Sequence, residues 1–374
     1  MNIEPFALER YFAKHEFTTR YLLSSSDCES MPVQTLIGAA DDESRRLWED
    51  LRLGYTESPG HPLLRSEISN QYDGLTEFEN VVLVPEEGIF LLMHALLEPG
   101  DHVVCSFPGY QSLYEVARSI GCELSFWEPL EDDGWRFDPA ELAGLIRANT
   151  RLMVVNFPHN PTGYLASTED FEAIVDIAGR SGAYLLSDEM YRGLEFAGQD
   201  RLPPSCTVYE RAVSLSGLSK AYGLPGLRIG WLAMNDRNLL AKIMSLKDYT
   251  TICNSAPGEI LAIMALRQQE AILKTQQARL ERNLAHLSDF VTSYDRILKL
   301  NQPGGGSICF PRLIGAESAA EFCEKLIHEA GILLLPSEQF HYGDQHVRIG
   351  FGRDDFPEVL DQFGEYLARV KRNG

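Results

Sequence analysis

From about Phe78 onward, short β-rich apolar runs alternate with longer stretches whose apolar positions recur at helical spacing. The runs are Val81–Val84, His102–Phe107, Glu123–Trp127, Leu152–Phe157, Tyr184–Ser187, Val213–Ser216 and Ile229–Met234. Between them, Ile89–Leu97, Gln111–Ile120 and Asp170–Arg180 have the 3.6-residue pattern of helices. The runs are apolar on both faces, which predicts an α/β fold with a mostly parallel sheet covered on both sides. Punctuation agrees with this reading. Pro99-Gly100-Asp101 predicts a helix stop and a turn, and Asp138-Pro139 predicts an N-cap followed by the first helical residue. A long helical stretch from Pro257 to Tyr294 comes next. The rhythm then changes to Ser307–Leu313, Ala319–Ala330, Ile332–Pro336, His346–Phe351 and Phe356–Val370, which predicts a small α+β domain that the N-terminal segment joins.

Length makes two domains the expectation, because 374 residues exceed the ~250–300 at which a single core stops growing. A formal charge of −21 argues against a nucleic-acid partner or an anionic membrane, both of which favour a basic face. It does not argue against one phosphate held by a few local donors. The seven cysteines show no C-x-x-C spacing and predict reduced thiols. The start, MNIEPFALERYFAKHEF, lacks the basic patch and apolar run of a signal peptide. No apolar run is long enough to span a bilayer, so a cytoplasmic protein is expected.

Four stretches carry chemistry, each just beyond a predicted strand, where open α/β sheets bind ligands. The first is NFPHNPTG, with Asn160 through Gly163. The second is LLSDEMY, with Asp188 and Tyr191. The third is SLSGLSKAYGLPGLRIGW, with Ser219, Lys220 and Arg228. The fourth is HVRIGFG, which sets Arg348 in an apolar strand, where a charge is costly unless paired.

In this order and combination the four stretches resemble the class I/II, fold-type I pyridoxal-phosphate aminotransferases, of the aspartate-aminotransferase kind, over nearly the whole chain. The resemblance implies a large three-layer cofactor domain over 47–291 with a mostly parallel seven-stranded sheet. It also implies a small α+β domain from 1–46 and 292–374, and a homodimer with sites at the subunit interface. It implies pyridoxal 5'-phosphate as cofactor, held through a Schiff base to Lys220, whose freed amine then carries a proton to and from the substrate. Asp188 matches the carboxylate that keeps the pyridine nitrogen protonated. Asn160 and Tyr191 match the partners of the ring hydroxyl oxygen, and Tyr110, in FPGYQSLY, matches the aromatic that stacks on the ring. Arg228, eight residues after the lysine, and Ser219 match phosphate donors. Tyr55 matches the tyrosine that reaches the phosphate of the neighbouring subunit. Arg348 matches the arginine that grips the substrate carboxylate.

Two departures from the family pattern stand out. Where relatives cup the phosphate with a Gly-Ala-hydroxyl segment, this chain has Val84-Pro85-Glu86-Glu87-Gly88. Proline offers no N–H and two carboxylates repel phosphate, so Glu86 and Glu87 serve as amide donors only with their side chains turned away. Gly217 stands where many relatives have a phosphate-binding serine.

The expected activity is transfer of an amino group between an amino acid and a 2-oxo acid. The same core residues also serve lyases, decarboxylases and cyclases, and the segments Ser24–Glu29 and Pro85–Gly88 look like those of enzymes of the capreomycidine-synthase kind. A non-catalytic amino-acid-sensing regulator is disfavoured by the reactive lysine and the acidic charge. A nicotinamide dehydrogenase is disfavoured because no G-x-G-x-x-G follows the first strand. Phe6, Phe12, Phe17 and Tyr21 are candidates for an aromatic flap over the site.

Overall fold

The computed structural model describes residues 2–315 and 318–373, with side chains as far as residue 369. Its centre is a seven-stranded sheet formed by β1 (Asn80–Leu83), β2 (His102–Ser106), β3 (Glu123–Trp127), β4 (Thr150–Asn156), β5 (Tyr184–Asp188), β6 (Ala212–Gly217) and β7 (Gly230–Met234). The spatial order is β1-β7-β6-β5-β4-β2-β3. Only β7 runs against its neighbours; the other pairings are parallel.

The sheet is buried on both faces because alternate residues of a strand point in opposite directions. In β4, Leu152 and Val154 join one apolar cluster with the helices Pro85–Leu96, Ser112–Ile120 and Arg237–Lys247. Met153 and Val155 join another with Pro139–Leu145 and Thr168–Ser181. The result is the expected three-layer sandwich. Asp138 caps its helix as the sequence indicates, its side chain accepting from the amide of Ala140.

The stretch expected as one helix from Pro257 to Tyr294 is two, Ala256–Arg267 and Gln269–Ser293. The first is buried without interruption from Gly258 to Leu266, while the second buries only the stripe Ile272, Gln276, Leu280, Asn283 and Leu287. One straight helix cannot run through the core and then along its edge. The chain turns at Gln268, whose side-chain amide donates to the carbonyl of Leu36 at 3.1 Å.

The C-terminal part holds a three-stranded antiparallel sheet, in which Val347–Gly350 lies between Ile308–Cys309 and Leu335–Pro336, flanked by the helices Ala319–Ala330 and Phe356–Asn373. The N-terminal segment joins it, because Tyr21–Leu22 pairs in parallel with Ile332–Leu333. The expected boundaries at 46/47 and 291/292 both fall inside helices, Asp42–Glu49 and Gln269–Ser293. Among the described residues no helix is long and apolar enough to cross a membrane.

Candidate active site

The register of the parallel strands brings the polar residues to one edge. Asn156 and Asp188 are the last residues of β4 and β5 and pair directly across them. Asn156 ties the two strand ends together: its Nδ2 donates to the carbonyl of Asp188 at 2.9 Å, and its Oδ1 accepts from the amide of Asn160 at 2.7 Å. Asp188 is 7% exposed, and its Oδ1 accepts from the amide of Met190 at 3.1 Å. Burial pushes its carboxyl up to about 6, with the Met190 amide and Lys220 opposing.

Lys220 follows β6 and is partly buried. Its Nζ lies 2.8 Å from Oγ of Ser26, and burial lowers its pKa while the carboxylate of Asp27 resists. Ser26 also accepts, through its carbonyl, from the hydroxyl of Tyr191 at 3.1 Å and from Oγ of Ser307 at 2.8 Å. Burial raises the Tyr191 phenol well above its ordinary value.

Close backbone approach delivers Ser26. A side chain on Gly350 would put its Cβ 1.7 Å from the carbonyl oxygen of Ser25, and one on Gly352 would come within 2.5 Å of that of Asp27. Only glycine permits this contact. The amide of Gly350 donates to the carbonyl of Leu23, and the amide of Glu29 to that of Gly352, so the segment is laid along the strand that holds Arg348.

Arg348 is 1% exposed. Its Nη1 donates to Oδ1 of Asn160 at 3.2 Å and its Nη2 to the carbonyl of Ser24 at 2.8 Å, while Nε has no partner. The guanidinium carbon stands 5.7 Å from the ring centres of both Phe12 and Phe340. Among the described residues no carboxylate pairs with it. A buried cation without a counter-ion is expensive unless an anion joins it.

The opposite end holds Ser219, 6% exposed, whose Oγ has no partner, and Arg228, which is exposed. Arg228 adopts a left-handed φ of 55°, and its Nη1 donates to the carbonyl of Pro225 at 3.2 Å. The two glutamates of the departing segment diverge. Glu87 turns away: its Oε1 accepts from Thr250 and Thr251, and its Oε2 from the amide of Val84 at 3.3 Å. Glu86 turns inward. Burial, with Glu9 and Asp188 adding, pushes it up to about 7, and Arg228 opposes.

The structure thus gathers Lys220, Asp188, Asn160, Tyr191, Tyr110, Ser219, Glu86 and Arg348, with Arg228 at the rim. Tyr55 stays apart, 91% exposed. Of the aromatic candidates, Phe6 packs 4.8 Å from the ring of Tyr110 and Phe12 covers Arg348. Phe17 does not take part, being 90% exposed, and Tyr21 belongs to the small strand instead. His159 is buried, its Nδ1 is 2.8 Å from Oγ1 of Thr162, and its ring packs edge-on against Phe137.

Sequence reasoning missed Ser26, Asn156 and Glu9. Glu9 lies on the helix Ala7–His15, and its Oε1 accepts from the hydroxyl of Tyr110 at 2.9 Å. The spacing of Glu9 and Phe12 on one helical face was the available signal for it. An asparagine ending an apolar strand was the signal for Asn156.

The donor set fits pyridoxal 5'-phosphate. It offers a carboxylate for a ring nitrogen, an amine for a carbonyl carbon, two side chains for a ring oxygen, and an unpartnered Ser219 hydroxyl and the Arg228 guanidinium for phosphate. Glu86 is the one group that fits poorly in its charged form.

Comparison with known proteins agrees. The family model "Aminotransferase class I and II" matches residues 20–361. Capreomycidine synthase of Streptomyces vinaceus is 31% identical over 293 residues, covering 77% of this chain and 75% of that protein. An aspartate aminotransferase of Pyrococcus horikoshii is 28% identical over 329 residues, covering 85% of this chain and 84% of that protein. The crystal structure of a PLP-dependent aminotransferase from Streptococcus suis 89-1591 superposes with a TM-score of 0.92 at 30% identity, covering 99% of each chain.

Proposed function

The chain belongs to the class I and II aminotransferases, a pyridoxal-phosphate-dependent family, and from that premise we propose that it moves an amino group between an amino acid and a 2-oxo acid. The observation that carries this reading is Arg348, a buried guanidinium with an unpartnered Nε and, among the described residues, no counter-ion, in the same site as the amine of Lys220. It fits a substrate with a carboxylate on the carbon that bears its amine.

Each residue has a physical task in this reading. Burial holds Lys220 toward its uncharged form, so its amine can attack the cofactor and later carry a proton at the substrate carbon. Asp188 holds a proton at the ring nitrogen, and a cationic partner there would keep it ionised despite its burial. Asn160 and Tyr191 hold the ring oxygen, and Tyr110 covers a ring face. Ser219, Arg228 and the amides of Glu86 and Glu87 hold the phosphate. When bound, the cofactor supplies an electrophilic carbon and a ring that accepts the electron pair left by proton loss. Tyr55 belongs to the neighbouring subunit's site in this reading, and the protein is a homodimer. The exposure of Leu53, Tyr55 and Tyr249, at 87%, 91% and 90%, supports that arrangement.

The experiment is a half-reaction. Cofactor-loaded protein is mixed with single amino acids, and the visible absorbance is followed while 2-oxo acid is assayed. Loss of the visible band with one equivalent of 2-oxo acid is the expected result, and Lys220→Ala abolishes it. Amino acid consumed with no 2-oxo acid formed would favour a second reading, in which the same site runs a lyase, decarboxylase or cyclase reaction. Similarity to capreomycidine synthase supports that alternative.

A further inference from the structure

We propose that Glu259 and Lys247 are positioning residues: from inside the protein they fix the exposed segment 53–60, so that Tyr55 stands ready to enter the site of a second copy of the chain. That role rests on the reading of Tyr55 as a donor to the neighbouring subunit's phosphate, and it names what holds the donor in place.

Both residues are 0% exposed, and neither belongs to the machinery described above. Glu259 lies on the helix Ala256–Arg267, and its Oε2 accepts from Oγ1 of Thr56 at 2.8 Å and from the amide of His61 at 3.0 Å. Lys247 ends the helix Arg237–Lys247, and its Nζ donates to the carbonyl of Ser58 at 2.9 Å and to that of Ile252 at 3.3 Å. Ser58 joins the same group, its Oγ donating to the Ile252 carbonyl at 2.6 Å. Thr56, Ser58 and His61, which follow Tyr55 in the chain, are thus each tied to a buried charge.

The loop that completes this clamp is strained. Ile252 holds a left-handed φ of 64°, which a β-branched side chain rarely adopts, and its amide is fixed on the carbonyl of Lys247 at 3.0 Å. Glu87, turned away from the phosphate end, accepts from Thr250 and Thr251 in the same loop. The far end of 53–60 is pressed on the edge strand β1. There Val82 donates its amide to the carbonyl of Pro59 at 2.9 Å, and a Cβ on Gly60 would lie 2.4 Å from Cγ2 of Val82.

Stability alone does not call for this arrangement. A buried charge is often no more stabilising than an apolar side chain of the same volume; what it secures is geometry. Here the geometry secured is that of a backbone whose own large side chains, Leu53 and Tyr55, face outward at 87% and 91% exposure. Those side chains add nothing to the core of their own subunit. Their fixed placement has a use where Tyr55 meets a phosphate, since a donor already ordered loses little entropy on binding.

The test measures the dissociation constant of pyridoxal phosphate, read from the visible band against free cofactor. Glu259→Ala is expected to weaken binding about fivefold, on the scale of one hydrogen bond. Thr56→Val/Ser58→Ala, which breaks the clamp from outside the core, is expected to do the same. In a Tyr55→Phe background these changes cost almost nothing more, because the group they position is gone. Hybrids identify the subunit that is served. When Glu259→Ala chains are co-expressed with an excess of Lys220→Ala chains, the intact lysine sites face intact 53–60 segments, and the affinity of the unaltered protein should return. Binding that stays weak in the hybrid, losses that add fully to that of Tyr55→Phe, or a monomeric protein overturns the proposal. Unaltered protein that binds cofactor without a visible band fails differently, because that result removes the Lys220 reading as well.

Discussion

The ring of Pro85 fills the space that a side chain on Gly230 would need: a Cβ there would lie 2.6 Å from Cγ of Pro85. The same Cγ would be 3.2 Å from a Cβ on Gly217, which would also meet the Gly230 Cα at 3.0 Å. The two departures read from the sequence, a proline at the helix start and a glycine in place of serine, are therefore one structural fact. Without its N–H, Pro85 gives the phosphate end nothing, and its ring leaves little room for a serine hydroxyl at 217.

Gly230→Ala should overpack this contact and cost about 1–3 kcal/mol, lowering the melting temperature by several degrees. Adding Pro85→Ala should recover part of the loss, since the remaining clash is with the carbonyl of Ser216 at 2.8 Å. Thermal unfolding of the single and double variants decides. Strictly additive losses would mean that the two positions do not compete for space.

Glu86 makes cofactor affinity depend on pH. With its carboxyl held up to about 7 by burial, it is mostly protonated at pH 6 and mostly charged at pH 8, where it repels a phosphate. Glu86→Gln should bind pyridoxal phosphate roughly tenfold tighter than the unaltered protein at pH 8, or ~1.4 kcal/mol, and equally at pH 6. Equilibrium absorbance titration at the two pH values measures it. A difference that is the same at both would show that the carboxylate's charge is not the cause.

Asn156 acts through Asn160 and Asp188 rather than on a ligand. Asn156→Ala removes the donor to the Asp188 carbonyl and the acceptor for the Asn160 amide, leaving buried groups unpaired at about 1–3 kcal/mol. The expected result is a less stable protein that still binds cofactor. Its visible band should be shifted, because the groups on either side of the ring move. An unchanged spectrum with unchanged stability would remove Asn156 from the positioning network.

His159 should contribute to the acid limb of stability. Burial lowers its pKa from 6.5 to about 3, so between those values the unfolded chain binds a proton that the folded chain refuses. Its contribution is therefore present above pH 6.5 and is lost as pH falls toward 3. His159→Asn should flatten the stability curve between pH 4 and 6 by up to one proton, or ~1.4 kcal/mol per pH unit. Denaturant unfolding across that range tests it. The slope is the diagnostic, since the substitution also disturbs the contact with Thr162 and lowers stability at every pH.

Local pattern by itself was enough for the seven strands, the helices between them, the Asp138 cap and the placing of Asp188, Lys220 and Arg348 at strand ends or within a small-domain strand. These are short-range properties: apolar periodicity and turn chemistry act over a few residues, and a lysine or aspartate in a motif keeps its chemistry wherever the chain goes. Tertiary structure alone decided that Glu86 turns inward while Glu87 turns out, and that the long helix breaks at Gln268. It alone brought Ser26 to an amine 194 positions away and Glu9 to a tyrosine 101 positions away. Such contacts depend on how distant segments pack, through glycines that let backbones touch and burial that sets which side chains have room. No window of sequence contains that information, because the partners meet only after the sheet has formed.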